Sequence, residues 1–274
     1  MPVRIAAVTG AVLVLLAGAG LAVWWYSQPV SAPPVVALPV PPFPPRIASG
    51  EAYEQCLAAL TDDPDSARAI AEGWMESGGG DGAAHCHGLA LIASGDLEGG
   101  AERLEQLARG SLAPDLARAS VLGQAVQARL MAGQADRAYE DATLALALAP
   151  TDTELLIDRA MASAVRDQLP AAIDDLSHAL RLDARRTDAL VLRAGAWRQQ
   201  DRLDLALADT ERAISIDPND AEALLERGIV RQRMGDPDGA RADWLRAREL
   251  DPNSTTAELA EQNLALLAAG PAQR

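Results

Sequence analysis

"LLERGIVRQRMGDPDGARADWLRARELDP", residues 224–252, has counterparts upstream in the same chain. Residues 190–218 read "LVLRAGAWRQQDRLDLALADTERAISIDP" and residues 155–184 read "LLIDRAMASAVRDQLPAAIDDLSHALRLDA". The three fall into register at one common offset without a gap, and a fourth copy occupies 119–152. A fixed period of this length marks a stacked repeat architecture. Numbered 1–34 within each copy, position 4 is Leu122, Leu156, Leu190 and Leu224. Position 20 is Ala138, Ala172, Ala206 and Ala240, and position 27 is Ala145, Ala179, Ala213 and Ala247. Position 32 is Pro150, Ala184, Pro218 and Pro252.

The composition agrees with helices. About half of the 274 residues are apolar but only 3% are aromatic. Ala and Leu lead the helix scale, whereas the β-branched and aromatic residues that favour strands are scarce. Small Ala at positions 20 and 27 lets two helices approach closely. Pro at position 32 stops the second helix after its last internal hydrogen bond. Pro170 and Pro237 open second helices, where the missing N–H has no partner to lose.

This pattern resembles the tetratricopeptide repeat over residues 119–254. That family has a helix–turn–helix unit with a large residue at position 4, small residues at 8, 20 and 27, a bulky one at 24 and Pro at 32. Two positions depart from it. Position 7 is Arg in three copies where the family usually has Leu, and position 24 varies as Ala142, Leu176, Thr210 and Trp244. The resemblance implies an all-α, right-handed α-solenoid. The expected repeats are 119–152, 153–186, 187–220 and 221–254, followed by a cap helix over 255–270. Residues 49–118 read as two more degenerate helical pairs, the second at 83–108, with "GGGDG" (78–82) as a loose separator. The total is thirteen helices, six pairs and a cap, preceded by one N-terminal apolar helix.

The N-terminal segment has its own logic. Residues 1–4 are expected in the cytoplasm. The uncharged run Ile5–Trp25 is about 30 Å long as a helix, close to a hydrocarbon core, and Trp24, Trp25 and Tyr26 stand at its exit. Residues 5–26 therefore read as a membrane anchor, with a cleaved signal peptide as the alternative because of the small residues at 17–22. Residues 27–48 are a stiff linker with eight prolines between 27 and 46. Arg4 before the run and no basic residue until Arg46 place the repeats outside the cytoplasm by the positive-inside rule. The expected location is a bacterial inner membrane with the repeats in the periplasm, or a soluble periplasmic form after cleavage.

Candidate chemistry is sparse. Net charge is −15 and all 24 basic residues are Arg, a surface that repels nucleic acid. The stretch "AAHCHG" (83–88) sets His85 and His87 around Cys86. Neighbours on a helix point about 100° apart, so these three do not converge on one metal. No nucleophile–base pair, phosphate loop or metal motif appears, so the expectation is a non-enzyme with no cofactor and no small-molecule substrate. Cys56 and Cys86 lie on first helices of successive pairs, where an oxidising compartment would allow a structural disulfide; the alternative is two small buried hydrophobes. Asp141, Asp175 and Asp209 at position 23, and Arg159, Arg193 and Arg227 at position 7, predict an ion-pair ladder. Their common separation gives Asp141–Arg159, Asp175–Arg193 and Asp209–Arg227, each bridging two repeats.

In the family the resemblance points to, positions 2, 5, 6, 9, 12 and 13 of the first helix face a concave groove that binds polypeptide. Here that groove includes Gln127, Met131, Ile157, Met161, Val165, Val191, Arg198, Leu225, Ile229 and Gln232, with acids at Glu154, Asp158, Asp188, Glu222 and Glu226. The family's groove for acidic chaperone tails needs Lys, which this chain lacks. The expected function is a protein–protein interaction scaffold of the cell envelope, its partner a protein or peptide segment and its tie to the membrane the N-terminal helix. The rival is an assembly subunit using the convex face or edge.

Overall fold

The structure, a computed structural model, describes residues 46–269, all within one compact unit. The apolar run 5–26, the linker up to residue 45, and Gly270 lie outside the described residues. Thirteen helices and no strand occur among the described residues. They are α1 (Glu51–Asp62), α2 (Pro64–Glu76), α3 (Gly80–Ala93), α4 (Leu97–Gly110), α5 (Asp115–Met131), α6 (Ala135–Leu148), α7 (Thr153–Val165), α8 (Leu169–Leu182), α9 (Thr187–Gln199), α10 (Leu203–Ile216), α11 (Ala221–Arg233), α12 (Pro237–Leu250) and α13 (Thr255–Ala269). Odd-numbered helices up to α11 open a pair and are called A helices. Their even-numbered partners are B helices, and α13 is the cap.

The period is visible in the helix starts. Thr153, Thr187 and Ala221 open A helices one full repeat apart, and Ala135, Leu169, Leu203 and Pro237 open B helices at the same interval. The fourth copy differs, because α5 begins at Asp115 rather than at 119. The preceding spacing between B helices exceeds the period by about one helical turn, and α5 absorbs that excess as an extra turn after Pro114. Side-chain phase is therefore kept across the junction.

Consecutive helices pack antiparallel, and A helices also touch the A helices of neighbouring repeats, whereas B helices contact mainly the A helices on either side. Helices that approach one another on one side only make that side the inner wall, so the A helices line the concave face. The core follows the pattern. All eight alanines at positions 20 and 27 are fully buried, as is Leu190 at position 4. Asp96, Asp152, Asp220 and Asp236 each accept backbone N–H groups at helix starts. Part of the acidic composition is thus N-capping, worth about 1 kcal/mol each.

The variation at position 24 does not weaken packing as its departure from the family pattern implies. It is matched at position 8 of the facing A helix, which reads Val126, Ala160, Ala194 and Gly228. Trp244 is fully buried, and a Cβ added at Gly228 would collide with its indole ring. The largest residue at 24 stands opposite the smallest at 8, and the Trp244 indole N–H donates to Leu225 O at 3.2 Å. The "GGGDG" stretch is not a loose separator either. Helix α3 begins inside it at Gly80, and a Cβ on Gly82 would stand 2.6 Å from Trp74 Cη2. These glycines permit close approach of α2 to α3 rather than flexibility.

The disulfide joins Cys56 on α1 to Cys86 on α3, with Cα atoms 6.2 Å apart and both residues fully buried beside Ala71.

Candidate functional site

The Asp–Arg ladder differs from the sequence expectation. Each position-23 carboxylate from Asp175 onward binds the position-7 arginine of its own repeat, not that of the following repeat. Arg159 donates to Asp175 through Nε and Nη2 at 2.8 and 2.7 Å, and Arg193 to Asp209 at the same distances. Arg227 grips Asp243 at 2.9 and 2.7 Å, and Arg231 adds a third donor at 2.9 Å. Two-toothed arginine–carboxylate contacts fix orientation as well as charge. The reason for the difference is geometric. Arg159 stands six residues before the end of α7 and Asp175 six residues after the start of α8, so they are level across a tight antiparallel hairpin. The cross-repeat candidate is nearly level too, and side-chain direction decides.

Asp141 completes the series by another route, since position 7 of its repeat is Ala125. Arg129, one turn further along α5, donates to Asp141 at 2.6 Å and to Glu105 of α4 at 2.7 Å, with its side chain 1% exposed. Burial pushes the Asp141 carboxyl up, against the pull of Arg129. These pairs hold helices together and offer nothing to a ligand.

The concave wall carries a different line of residues. Position 6 of successive A helices is Gln124, Asp158, Leu192 and Glu226, and His85 on α3 continues the line. His85 is 2% exposed. Its Nε2 lies 2.6 Å from Gln124 Oε1 on α5, and its Nδ1 lies 2.5 Å from Tyr53 Oη on α1. Burial drives the imidazole down to about 4, outweighing the Gln124 hydrogen bond, and holds the Tyr53 hydroxyl up at about 12. The ring is therefore neutral at physiological pH, donating from Nε2 and accepting the Tyr53 hydroxyl proton at Nδ1. At the other end, Arg198 Nε donates to Glu226 at 2.5 Å between α9 and α11. Burial raises the Glu226 carboxyl despite that partner.

Between them stands Asp158, which is 7% exposed and has no hydrogen-bond or ion-pair partner among the described residues. Burial first, then the charges of Glu154 and Asp152, raise its carboxyl to about 7, against the opposing pull of Arg186. Arg186 is already engaged by Glu154 at 2.8 Å and Asp188 at 2.5 Å.

The expected groove residues divide by position. Met131 and Met161 are 44% and 38% exposed, and Val165 at the end of α7 is 69% exposed. Gln232 is open, while Gln127, Val191 and Ile229 are half-buried. Arg198 is bound to Glu226. Ile157 and Leu225, at position 5, are buried members of the core clusters and not open groove surface. Position 5 packs into the seam between repeats, so only positions 9 and 13 leave large apolar groups bare. Among the described residues no group of three His, Cys, Asp or Glu could hold a metal ion, and none of these helices is long and apolar enough to cross a membrane.

Comparison with known proteins agrees with this architecture. A tetratricopeptide repeat family model matches residues 192–265. No curated protein matches the sequence. Among solved structures, the crystal structure of MamA is 22% identical with a TM-score of 0.53, covering 60% of this chain and 94% of that one. MamA from Desulfovibrio magneticus RS-1, residues 41 to the end, is 15% identical with a TM-score of 0.53, covering 76% and 99%. YrrB, described as a TPR protein with an unusual peptide-binding site, is 17% identical with a TM-score of 0.51, covering 70% and 96%. Likeness at these identities establishes the fold: the described chain is a solenoid of tetratricopeptide repeats.

Proposed function

We propose that this chain is a non-catalytic interaction scaffold whose concave face holds a segment of another polypeptide, and that the repeats are displayed outside a bacterial cytoplasm. The observation that carries the binding role is the contrast along α7. There the core and the ladder are closed, but Met161 and Val165 stay bare on the concave side next to Asp158. Methionine adapts its shape to a partner at small cost. The peptide-binding description of YrrB supports the same use of the fold. Export is supported by the uncharged run 5–25 in the sequence and by the Cys56–Cys86 bridge, which persists in oxidising compartments. The N-terminal run would then tether the repeats to the inner membrane.

The test is crosslinking capture from source membranes with the full chain and with Met161→Glu. The variant is expected to lose the native partner while circular dichroism stays unchanged. Equal capture by both would move the binding surface to the convex face or edge and favour an assembly subunit.

A further inference from the structure

Asp158 is a buried residue whose carboxylate has no protein partner among the described residues, while its oxygens still open to the concave surface. Its neighbours at position 6 are all provided for: Gln124 accepts from His85, Leu192 needs no partner, and Glu226 holds Arg198. Every other carboxylate that is as deeply buried, Asp141, Asp209, Asp243 and Glu226, is bound by arginine. An unpaired buried carboxylate destabilises a fold, so its isolation points to a role outside folding. The local field favours a cation. The like charges of Glu154 and Asp152 act on Asp158, and the guanidinium that opposes them, Arg186, is spent on Glu154 and Asp188.

We propose that Asp158 is the anchor for a cationic side chain, Arg or Lys, of the segment bound in the groove, with Met161 and Val165 receiving apolar residues next to it. This rests on the groove reading above. Glu154, Asp158, Met161 and Val165 follow one another at helical spacing on one face of α7, acids first and apolar groups after. A segment lying along that face meets a negative end and an apolar end. Its long aliphatic stem lets a cationic head reach a recessed carboxylate while the stem covers apolar surface. The chain's own proline-rich linker does not meet the requirement, because residues 5–45 contain no Lys or Arg. The cation belongs to a partner.

The experiment pans a phage-displayed random heptapeptide library on the purified full chain, then measures synthetic consensus peptides by calorimetry. The expected result is one enriched basic position. Exchanging that Arg for neutral, near-isosteric citrulline, or a Lys for norleucine, should weaken binding roughly 30-fold, as loss of one partner of a desolvated charge pair does. Asp158→Asn should cause a similar loss with the basic peptide and much less with its neutral analogue, while the thermal midpoint of the variant does not fall. Binding of the basic peptide should also strengthen as pH rises through about 7, where Asp158 ionises beside Asp152, Glu154 and Arg186.

Peptides that are lost on Met161→Glu but carry no basic preference, or bind Asp158→Asn equally well, would overturn the anchor and leave the groove. Absence of enriched peptides, or peptides indifferent to Met161→Glu, would overturn both.

Discussion

The two ends of the solenoid are held by different devices. From α7 to α12 each repeat carries its own arginine–aspartate clamp between helix A and helix B, and a matched pair at positions 8 and 24. From α1 to α4 no arginine–carboxylate pair joins the two helices of a pair among the described residues. That end relies on the Cys56–Cys86 bridge, the buried Tyr53–His85–Gln124 line and glycines that let helices meet: a Cβ on Gly88 would stand 2.7 Å from Leu104 Cδ2. The first set recurs with the repeat and the second does not. Where a sequence has drifted from its period, one-off contacts replace the periodic ones. Arg129 stands at the join, tying α4, α5 and α6 through Glu105 and Asp141.

The contrast can be broken from either end. Trp244→Ala empties the largest fully buried side chain opposite a glycine that cannot fill the space, and should destabilise by about 3–5 kcal/mol. Hydrogen exchange should show the loss concentrated in α11–α13, with α1–α4 unaffected, since a solenoid transmits stability to nearest neighbours. Replacing Cys56 and Cys86 with Ser opens a loop spanning 30 residues, worth about 3–4 kcal/mol in the chain-entropy model. The same measurement should place that loss in α1–α3. Coincident unfolding of both ends in either variant would show that the two regions form one cooperative unit.

Acid should act on the two ends in opposite directions. His85 is held neutral at about 4, below its unfolded value near 6.5, so the unfolded chain binds the proton first. Stability from this group is full above about 6.5 and falls as pH drops toward 4, by up to ~3 kcal/mol. Asp158 is raised to about 7 from 3.8, so the folded chain binds its proton first. Its penalty is full above about 7 and is relieved as pH falls toward 4. Asp158→Asn should therefore gain roughly 1–3 kcal/mol at pH 8 and lose that advantage below about pH 4. Residue-resolved exchange at pH 8 and pH 5 checks both signs, with α1–α4 expected to weaken and α7 to firm.

The smallest effect lies within the regular region. Gly133 and Gly235 take positive φ at position 15, where Asp167 and Asp201 adopt φ of 58° and 59°. Asp167→Gly should stabilise by about 0.5–1 kcal/mol in chemical denaturation, since glycine enters this region without a Cβ penalty, and Asp201→Gly by less, because Asp201 also accepts from Arg233 at 2.9 Å. No gain would mean that the aspartates offset the strain through contacts of their own.

Much of the fold was legible because its signals are local. Apolar residues at helical spacing, Ala at two fixed positions and Pro after three of the four regular pairs predict thirteen helices with one recurring period. The site was less so. The concave positions were readable by register, yet Ile157 and Leu225 belong to the seams between repeats. The importance of His85 was hidden because its partners lie 32 and 39 residues away on other helices. The isolation of Asp158 left no trace in the string, since acids surround it there as they do across this acidic chain.

By itself the sequence determined the helices, their pairing and their stacking, because backbone hydrogen bonding and hydrophobic periodicity act over a few residues and repeat whenever the pattern repeats. Only the tertiary structure decided which arginine each aspartate takes. The arginine of the same repeat and that of the next are both nearly level with the carboxylate across antiparallel neighbours, and the choice falls to the direction in which packed side chains leave the helix. Only the tertiary structure, too, left one carboxylate without a partner on the concave wall. Whether a buried charge is satisfied depends on what every surrounding helix presents to it.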